Sequence, residues 1–401
     1  MTTDYDIISV GGGLGGAALA KAMAERGYRV LVAERETQFK DRVRGEAMAP
    51  WGVAETKELG IYDLIMTNGG YHPQLWDTWL GPASVGERDL SATTHAGCYG
   101  MNFYHPAIQE ALIADAEGAG AEVRRGVRVR GIEMGTEPRV QLESNGSAES
   151  ASCRLVVGVD GRGSLVRKWA GFEVSQIQER NQIGGILFEN MPAPEDRSIL
   201  LVNPFMCRLS VVFPQGQGRT RVYFANRVDE GVRLQGGRDV PRFVEESIKT
   251  GLPADYFEGA KPAGPLATFP GVYEWVEHPY NGAVALIGDA AGTSDPTWGQ
   301  GLALTVRGFR ALRDALLADD DWDRAGEHYA GEHARYWGTI RTVEQWFTDL
   351  FFETGPEADA VRARVFPLVA QDPMRLNDCG LSGPDAQPAD EESRKRFFAE
   401  D

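Results

Sequence analysis

The chain has 401 residues, enough for two or three compact units, with 42% hydrophobic and 25% charged residues, the balance of a soluble globular protein. Forty-one Lys and Arg against 58 Asp and Glu leave a net charge of −17, which repels nucleic acid and anionic membrane surfaces. No apolar run approaches a membrane span, and the first strand pattern begins close to Met1, so neither integral membrane association nor a leader peptide is expected. Cys98, Cys153, Cys207 and Cys379 are scattered without C-x-x-C or Cys/His spacing. No metal site and no disulfide framework is expected from them, and reduced thiols point to the cytoplasm.

The opening run Tyr5-Asp6-Ile7-Ile8-Ser9-Val10 reads as an apolar strand, and a helix-type run from Ala17 to Ala24 follows the loop Gly11-Gly12-Gly13-Leu14-Gly15-Gly16. Gly11, Gly13 and Gly16 supply the three glycines of G-x-G-x-x-G. One permits the tight turn, one lets backbone approach a pyrophosphate, and one lets helix and strand pack closely. The helix N-terminus offers N–H groups and partial positive charge to phosphates, with Leu14 and Gly15 among the candidate contacts. The next apolar run, Arg29 to Ala33, ends at Glu34, with Arg35 beside it. An acid at that position accepts hydrogen bonds from ribose hydroxyls.

Residues 40 to 50 are basic and glycine-containing, from Lys40 through Arg44-Gly45-Glu46, and a helix-like stretch runs from about Pro50 to Met66. From 71 to 100, aromatic and polar residues alternate, with Trp76, Thr78 and Leu80 on one parity, which predicts a strand outside the nucleotide core. His105 to Gly118 has helical periodicity through Ile108, Leu112, Ile113 and Ala116. The short β-like run Val127-Arg128-Val129 comes next, and then Leu155 to Val159, a buried-strand run ending in Asp160-Gly161. An Asp-Gly pair is also a common turn, so Asp160 has a purely structural reading as well.

Three further strand-like runs, Ile183 to Phe188, Arg208 to Phe213 and Arg221 to Phe224, are separated by turns such as Pro214 to Gly218. They predict an antiparallel sheet inserted between two halves of the nucleotide domain. The run Ala283 to Ile287 leads into Gly288-Asp289-Ala290-Ala291, then Pro296, Gly299-Gln300-Gly301 and a helix near Leu302. Such a strand sets a carboxylate at the carboxyl edge of a sheet, where open α/β folds bind ligands. Pro296 fixes a turn, Gly299 and Gly301 allow backbone near a flat ring, and the helix directs its positive end at that ring. The plainer reading is a β-turn-α junction with an N-capping Asp. Helical patterns dominate to about residue 370, and the last twenty residues, rich in Pro, Asp and Glu, read as a partly mobile tail.

These three segments, in this order, resemble the single-component flavoprotein monooxygenases of the para-hydroxybenzoate hydroxylase type, over residues 5 to about 315. The resemblance implies an α/β fold: a Rossmann-like FAD-binding domain (1–70, 98–178 and 265–325) with an inserted antiparallel-sheet substrate domain (71–97 and 179–264). The helical region and tail, 326–401, would follow. It implies FAD held by Gly11, Gly13 and Gly16 with Glu34 on the ribose, Asp289 on the ribitol side, and Asp160 serving both FAD and NADH or NADPH. Arg44 stands where the family has a flavin-contacting arginine, and His105 where Arg or Gln contacts FAD. Two positions depart from the pattern: Gly292 replaces the histidine of G-D-A-A-H, and Ala303 replaces a common asparagine.

The implied reaction passes one atom of O2 to a small molecule through a flavin C(4a)-hydroperoxide, so no side-chain triad is needed and no catalytic side chain is named. The substrate wall is expected from the inserted sheet and the flavin-facing loop: Trp298 first, then Trp76, Tyr223 and Phe213, with Trp79 and Tyr99 as further candidates. A flavin-dependent halogenase and a flavin reductase of an isoprenoid double bond share the fold. The stretch Trp76-Asp77-Thr78-Trp79-Leu80-Gly81 is not the W-x-W-x-I-P of tryptophan-type halogenases. A binding module without flavin chemistry is disfavoured by the complete Asp289 loop.

Overall fold

A computed structural model of the chain describes residues 3–43 and 45–400. Its first sheet has a parallel core in the order Val284–Leu286, Ser147–Gly158, Tyr5–Val10, Val30–Glu34, Glu122–Arg125. The inner stretches Ile7–Val10, Val30–Ala33, Leu155–Gly158 and Val284–Leu286 are buried and almost wholly apolar because both faces are covered, whereas the edge strand Glu122–Arg125 is polar. Ile7, Val30, Val32, Leu155, Val157 and Ala285 pack in the core that includes Leu14–Ala24, His105–Gly118 and Gly301–Ala318. Ile8, Val10, Leu31, Val156, Val284 and Leu286 face the other way, onto Val140, Leu142 and Val166. The first half of Ser147–Gly158 pairs antiparallel with Arg139–Ser144, and its second half joins the parallel core.

From Tyr5–Val10 the chain moves to Val30–Glu34 on one side and returns as Ser147–Gly158 on the other. The carboxyl ends of these strands therefore open a crevice at a switch point of the sheet, the place where open α/β folds take ligands.

The second sheet runs Asn181–Glu189, Arg219–Arg227, Arg208–Gly216, Arg197–Asn203, Leu75–Leu80, Ala83–Asp89. It is antiparallel except where Arg197–Asn203 pairs parallel with Leu75–Leu80. Ile186, Phe188, Ile199, Leu201, Val212, Val222 and Phe224 form one buried face, closed by Phe243 of helix Val240–Thr250. The two-residue period then commits Leu200, Val202, Val211, Phe213 and Tyr223 to the opposite face, which lines a large cleft.

Three local expectations are corrected. The helix expected from Pro50 to Met66 is two, Pro50–Glu58 and Tyr62–Thr67, divided by Gly60 at φ +66°. The turn expected at Pro214 to Gly218 shrinks to Gln217-Gly218, both at positive φ, because Arg208–Gly216 continues through a bulge beside Pro214. The tail expected to be mobile instead carries helix Glu391–Phe398, capped by Asp390, whose Oδ1 accepts from the Ser393 N–H at 2.9 Å. Phe397 and Phe398 of that helix are buried, with Phe397 against Trp346 and Phe347 at ring distances of 5.6 and 5.3 Å. Composition hid this aromatic anchor among acids. No helix among the described residues is long and apolar enough to cross a membrane.

Candidate functional site

One cleft of about 1000 Å³ runs from the glycine loop, past the turn Gly288 to Leu302, to an apolar end between the second sheet and the C-terminal helices. Its two ends are made differently, and each follows from local chain geometry.

At the first end, Gly11 sits at φ +111°, and a Cβ there would lie 2.5 Å from the Val159 carbonyl oxygen. A Cβ on Gly16 would lie 2.1 Å from the Gly11 carbonyl oxygen, so this glycine lets helix and strand touch. Gly13 differs: its φ is −67°, open to any residue, and a Cβ would meet only Gln109 Nε2 at 3.7 Å. Its lack of a side chain matters only to something entering the cleft. Helix Leu14–Ala24 has no side-chain cap, so its first N–H groups have no capping acceptor, and Leu14 and Gly15 line the cleft. Glu34 is buried and braces the loop, accepting from the Gly12 and Glu36 N–H groups at 2.7 and 2.8 Å. Arg35 lines the cleft and pairs with Glu36 at 3.6 Å.

Arg44 lies outside the described residues. The loop around it is held on one side by His105, whose Nδ1 bonds the Gly45 carbonyl at 2.7 Å. That bond makes Nδ1 the protonated nitrogen.

In the middle of the cleft, Gly288 takes φ +60° and Asp289 follows in a tight turn, while the helix after it, Gly301–Ala318, has no side-chain cap, so the capping reading of Asp289 does not hold. Its carboxylate pairs with Arg162 Nε at 3.7 Å. Asp160, in contrast, does cap: its oxygens accept from Ser164 Oγ at 2.5 Å and from the Leu165 and Val166 N–H groups at 2.7 and 3.3 Å. What the Asp160-Gly161 turn aims at Asp289 is therefore Arg162. Pro296 opens a short 3₁₀ turn capped by Asp295, whose Oδ1 accepts from the Thr297 N–H at 2.9 Å. Gly299 closes that turn at φ +70° with nothing within 4 Å of a would-be Cβ. Gly301 and Leu302 begin a further helix without a side-chain cap that borders the cleft.

At the far end, Trp76, Phe213 and Tyr223 form an aromatic row, with ring centroids 6.3 and 6.2 Å apart. Trp298 lines the cleft and also ties the loop to helix Trp322–Phe352, donating from Nε1 to Thr348 Oγ1 at 2.9 Å and packing on Phe347 at 5.4 Å. Trp79 packs toward the outer core of the sheet as well. Tyr99 stands beside His72, 6.1 Å between rings, away from the cleft lining. Sequence reasoning missed the third wall, Phe347, Phe351 and Phe366 from the C-terminal helices. The four-residue spacing of Phe347 and Phe351 marked a helix face but not what it covers.

It also missed a buried charge cluster behind Tyr223. Arg221, fully buried, pairs through Nη2 with Asp41 Oδ2 at 2.8 Å and Glu46 Oε1 at 2.7 Å. The Tyr223 hydroxyl donates to Glu46 Oε2. Burial outweighs the attraction of Arg221 and pushes the Glu46 carboxyl up to about 7. Burial and the neighbouring Glu46 also raise the Tyr223 phenol well above its ordinary range.

Residues 4–319 match the family model described as "FAD binding domain". The chain belongs to this FAD-binding family. Among its relatives, mouse squalene monooxygenase is 24% identical over 388 residues, covering 91% of this chain but only 65% of that protein. A digeranylgeranylglycerophospholipid reductase of Methanosphaerula palustris is 26% identical over 321 residues, 75% of this chain and 73% of the reductase. The crystal structure of p-nitrophenol 4-monooxygenase PnpA from Pseudomonas putida DLL-E4 shares the fold with a TM-score of 0.79 at 19% identity. The match covers 97% of this chain and 100% of that one.

Proposed function

We propose that the protein is an FAD-dependent monooxygenase that takes electrons from NADH or NADPH and places one atom of O2 on an aromatic or unsaturated small molecule. One observation carries this reading: a single cleft joins the glycine loop to an aromatic-walled, apolar end, with the Gly288 to Leu302 turn between them.

FAD fits this lining. Open space stands where a side chain on Gly13 or Gly299 would project, and helices Leu14–Ala24 and Gly301–Ala318 begin uncapped at the cleft. In this proposal Gly11, Gly13, Leu14, Gly15 and Gly16 hold the pyrophosphate, Glu34 the ribose with Arg35 at the rim, and Asp289 the ribitol. Pro296, Gly299, Gly301, Leu302 and His105 border the ring. Asp160 acts by capping and so orienting Arg162 toward Asp289. Bound FAD supplies hydride acceptance from nicotinamide and the activation of O2. The chain's own part is to orient the substrate against Trp76, Phe213, Tyr223 and Trp298 and to keep water from the reacting atoms.

The test is oxygen uptake driven by NADH or NADPH, with heavy-oxygen gas and mass spectrometry of the product. One labelled oxygen atom per product is the expected result. An unlabelled product, formed equally well without O2 and gaining two hydrogens, would assign the protein to the reductase side of the family. A requirement for chloride or bromide would make it a halogenase. Among the described residues, Lys40, on the loop after Glu34, is the lysine that lines the cleft, which leaves the aromatic end without the lysine that halogenation needs. We place the protein in the cytoplasm, in keeping with four free, buried cysteines.

A further inference from the structure

The helix that walls the aromatic end of the cleft carries an acid on its inner face. In helix Trp322–Phe352, Glu344 lies three and seven residues before Phe347 and Phe351, so the three share one side, and all three line the cleft. Glu344 is 3% exposed, and both its carboxyl oxygens are buried with no hydrogen-bond partner. Arg88 and Asp378, also in the cleft lining, satisfy each other at 2.8 Å, whereas Glu344 has no such cation. Its polar neighbours are Asp295 and Ser294 of the Gly288 to Leu302 turn, and Tyr273. Asp295 is already used as an acceptor, by the Thr297 N–H at 2.9 Å and by Asn181 Nδ2 at 3.4 Å. The nearby charges are Arg162, which acts on Asp295, and Arg180, which acts on Tyr273. Burial, reinforced by Asp295, raises the Glu344 carboxyl well above the ordinary carboxylate range, so the acid keeps its proton at neutral pH. A buried O–H without an acceptor costs stability, and an apolar residue on this helix face would not. The acceptor it lacks within the chain can come from what enters the cleft.

We propose that Glu344 is the polar anchor of the substrate end, its acid O–H donating to a carbonyl oxygen on an aromatic ketone. The ring lies between the Trp76, Phe213 and Tyr223 row and the Phe347 and Phe351 wall, with its oxygen toward Glu344. A neutral acid and a neutral carbonyl complete each other's hydrogen bond and leave this apolar end uncharged. A substrate ammonium fits worse. Its charge would lose its water against apolar walls, and Glu344 would have to ionise beside Asp295. A hydrocarbon would bury the O–H still unpaired. Glu344 touches the substrate away from the reacting carbon and moves no proton. By fixing one end of the ring it sets which carbon is presented for oxygen, and so acts as a specificity residue.

This inference rests on the monooxygenase reading, so its first arm measures binding without turnover. The FAD-loaded protein, without NADH or NADPH, is titrated with 2-acetonaphthone, 2-isopropylnaphthalene and 1-(2-naphthyl)ethylamine, which differ in one polar group at constant shape. The ketone should bind about tenfold tighter than the hydrocarbon, and its infrared carbonyl band should move to lower frequency on binding. Glu344→Leu should bring the ketone to the hydrocarbon's affinity and abolish the band shift, with FAD affinity unchanged and the melting temperature not lowered. Glu344→Gln, whose amide N–H still donates, should keep part of both effects. No binding of the ketone, equal binding of ketone and hydrocarbon, a tighter amine, or a ketone advantage that survives Glu344→Leu overturns the anchor. The second arm adds NADH or NADPH and heavy-oxygen gas, and reads how much labelled oxygen enters the ketone and at which carbon. One position should dominate in the wild type and several should appear in Glu344→Leu. A ketone oxygenated in the same pattern by both proteins overturns the anchor and leaves monooxygenation standing. A ketone that binds through Glu344 but gains no oxygen supports the anchor and counts against the monooxygenase reading.

Discussion

At its nucleotide end the cleft is backbone: Gly11, Gly13, Gly16 and the uncapped start of helix Leu14–Ala24, braced by Glu34. At its far end it is side chains brought from the second sheet, the Asp289 loop and the C-terminal helices. The difference matches what each end is proposed to meet. A pyrophosphate is recognised by N–H groups and a helix dipole, which any sequence provides once side chains are out of the way. An apolar substrate is recognised by shape, which only particular side chains supply. The first end therefore tolerates little change at few positions, and the second tolerates moderate change at many.

The sharpest break in that comparison is Gly13→Val. At φ −67° valine fits the backbone, and the added methyls project only into the cleft, so measurable FAD binding should vanish while the fold remains. FAD occupancy after desalting, with circular dichroism alongside, checks both halves; a folded variant with full occupancy would misplace the phosphate site. Gly16→Val should do the reverse and damage the apoprotein itself, by about 3 kcal/mol in urea unfolding, because its side chain must displace the Gly11 carbonyl. Equal stability of the two variants would remove the distinction between a glycine kept for a ligand and one kept for packing.

Asp289→Ala comes next. Its carboxylate does not cap helix Gly301–Ala318 and faces the cleft with Arg162, so FAD affinity should fall by about 1.5–3 kcal/mol, roughly ten- to a hundredfold. Titration of apoprotein with FAD measures this, and an unchanged dissociation constant would leave Asp289 a turn-former. Asp160→Ala should instead lower stability by about 1 kcal/mol through loss of the cap on helix Leu165–Trp169. At the far end the smallest effect is expected. Trp76→Ala should raise the KM of the oxygen-accepting substrate about fivefold, about 1 kcal/mol, and leave FAD binding untouched. A loss of FAD in this variant would show that the two ends are not separable.

The glycine loop and the Gly288 to Leu302 turn were legible because their chemistry is written in neighbouring residues, strand then turn then helix. The parity of Trp76, Thr78 and Leu80 was legible for the same reason, since a strand's two-residue period assigns faces without any partner. The Tyr223–Glu46 bond joins residues 177 positions apart, and no local pattern marks either as the other's partner. Arg162 meets Asp289 in the same way, across two strand-turn junctions that sequence reading treated separately. The aromatic pair Phe397-Phe398 sat in an acidic, proline-containing stretch whose composition says tail, and only Trp346 and Phe347, contributed by another helix, make it a packed end.

By itself, then, the sequence determined the α/β class, the strand–turn–helix order of the glycine loop and of the Gly288 to Leu302 turn, and the shared parity of Trp76, Thr78 and Leu80, all consequences of short-range geometry. Only the tertiary structure decided which side chains share a buried volume: the third, C-terminal wall of the cleft, and the charge cluster of Asp41, Glu46 and Arg221 behind Tyr223. The physical reason is that the cost of burying a charge, and the packing of one side chain on another, depend on neighbours that chain distance does not specify.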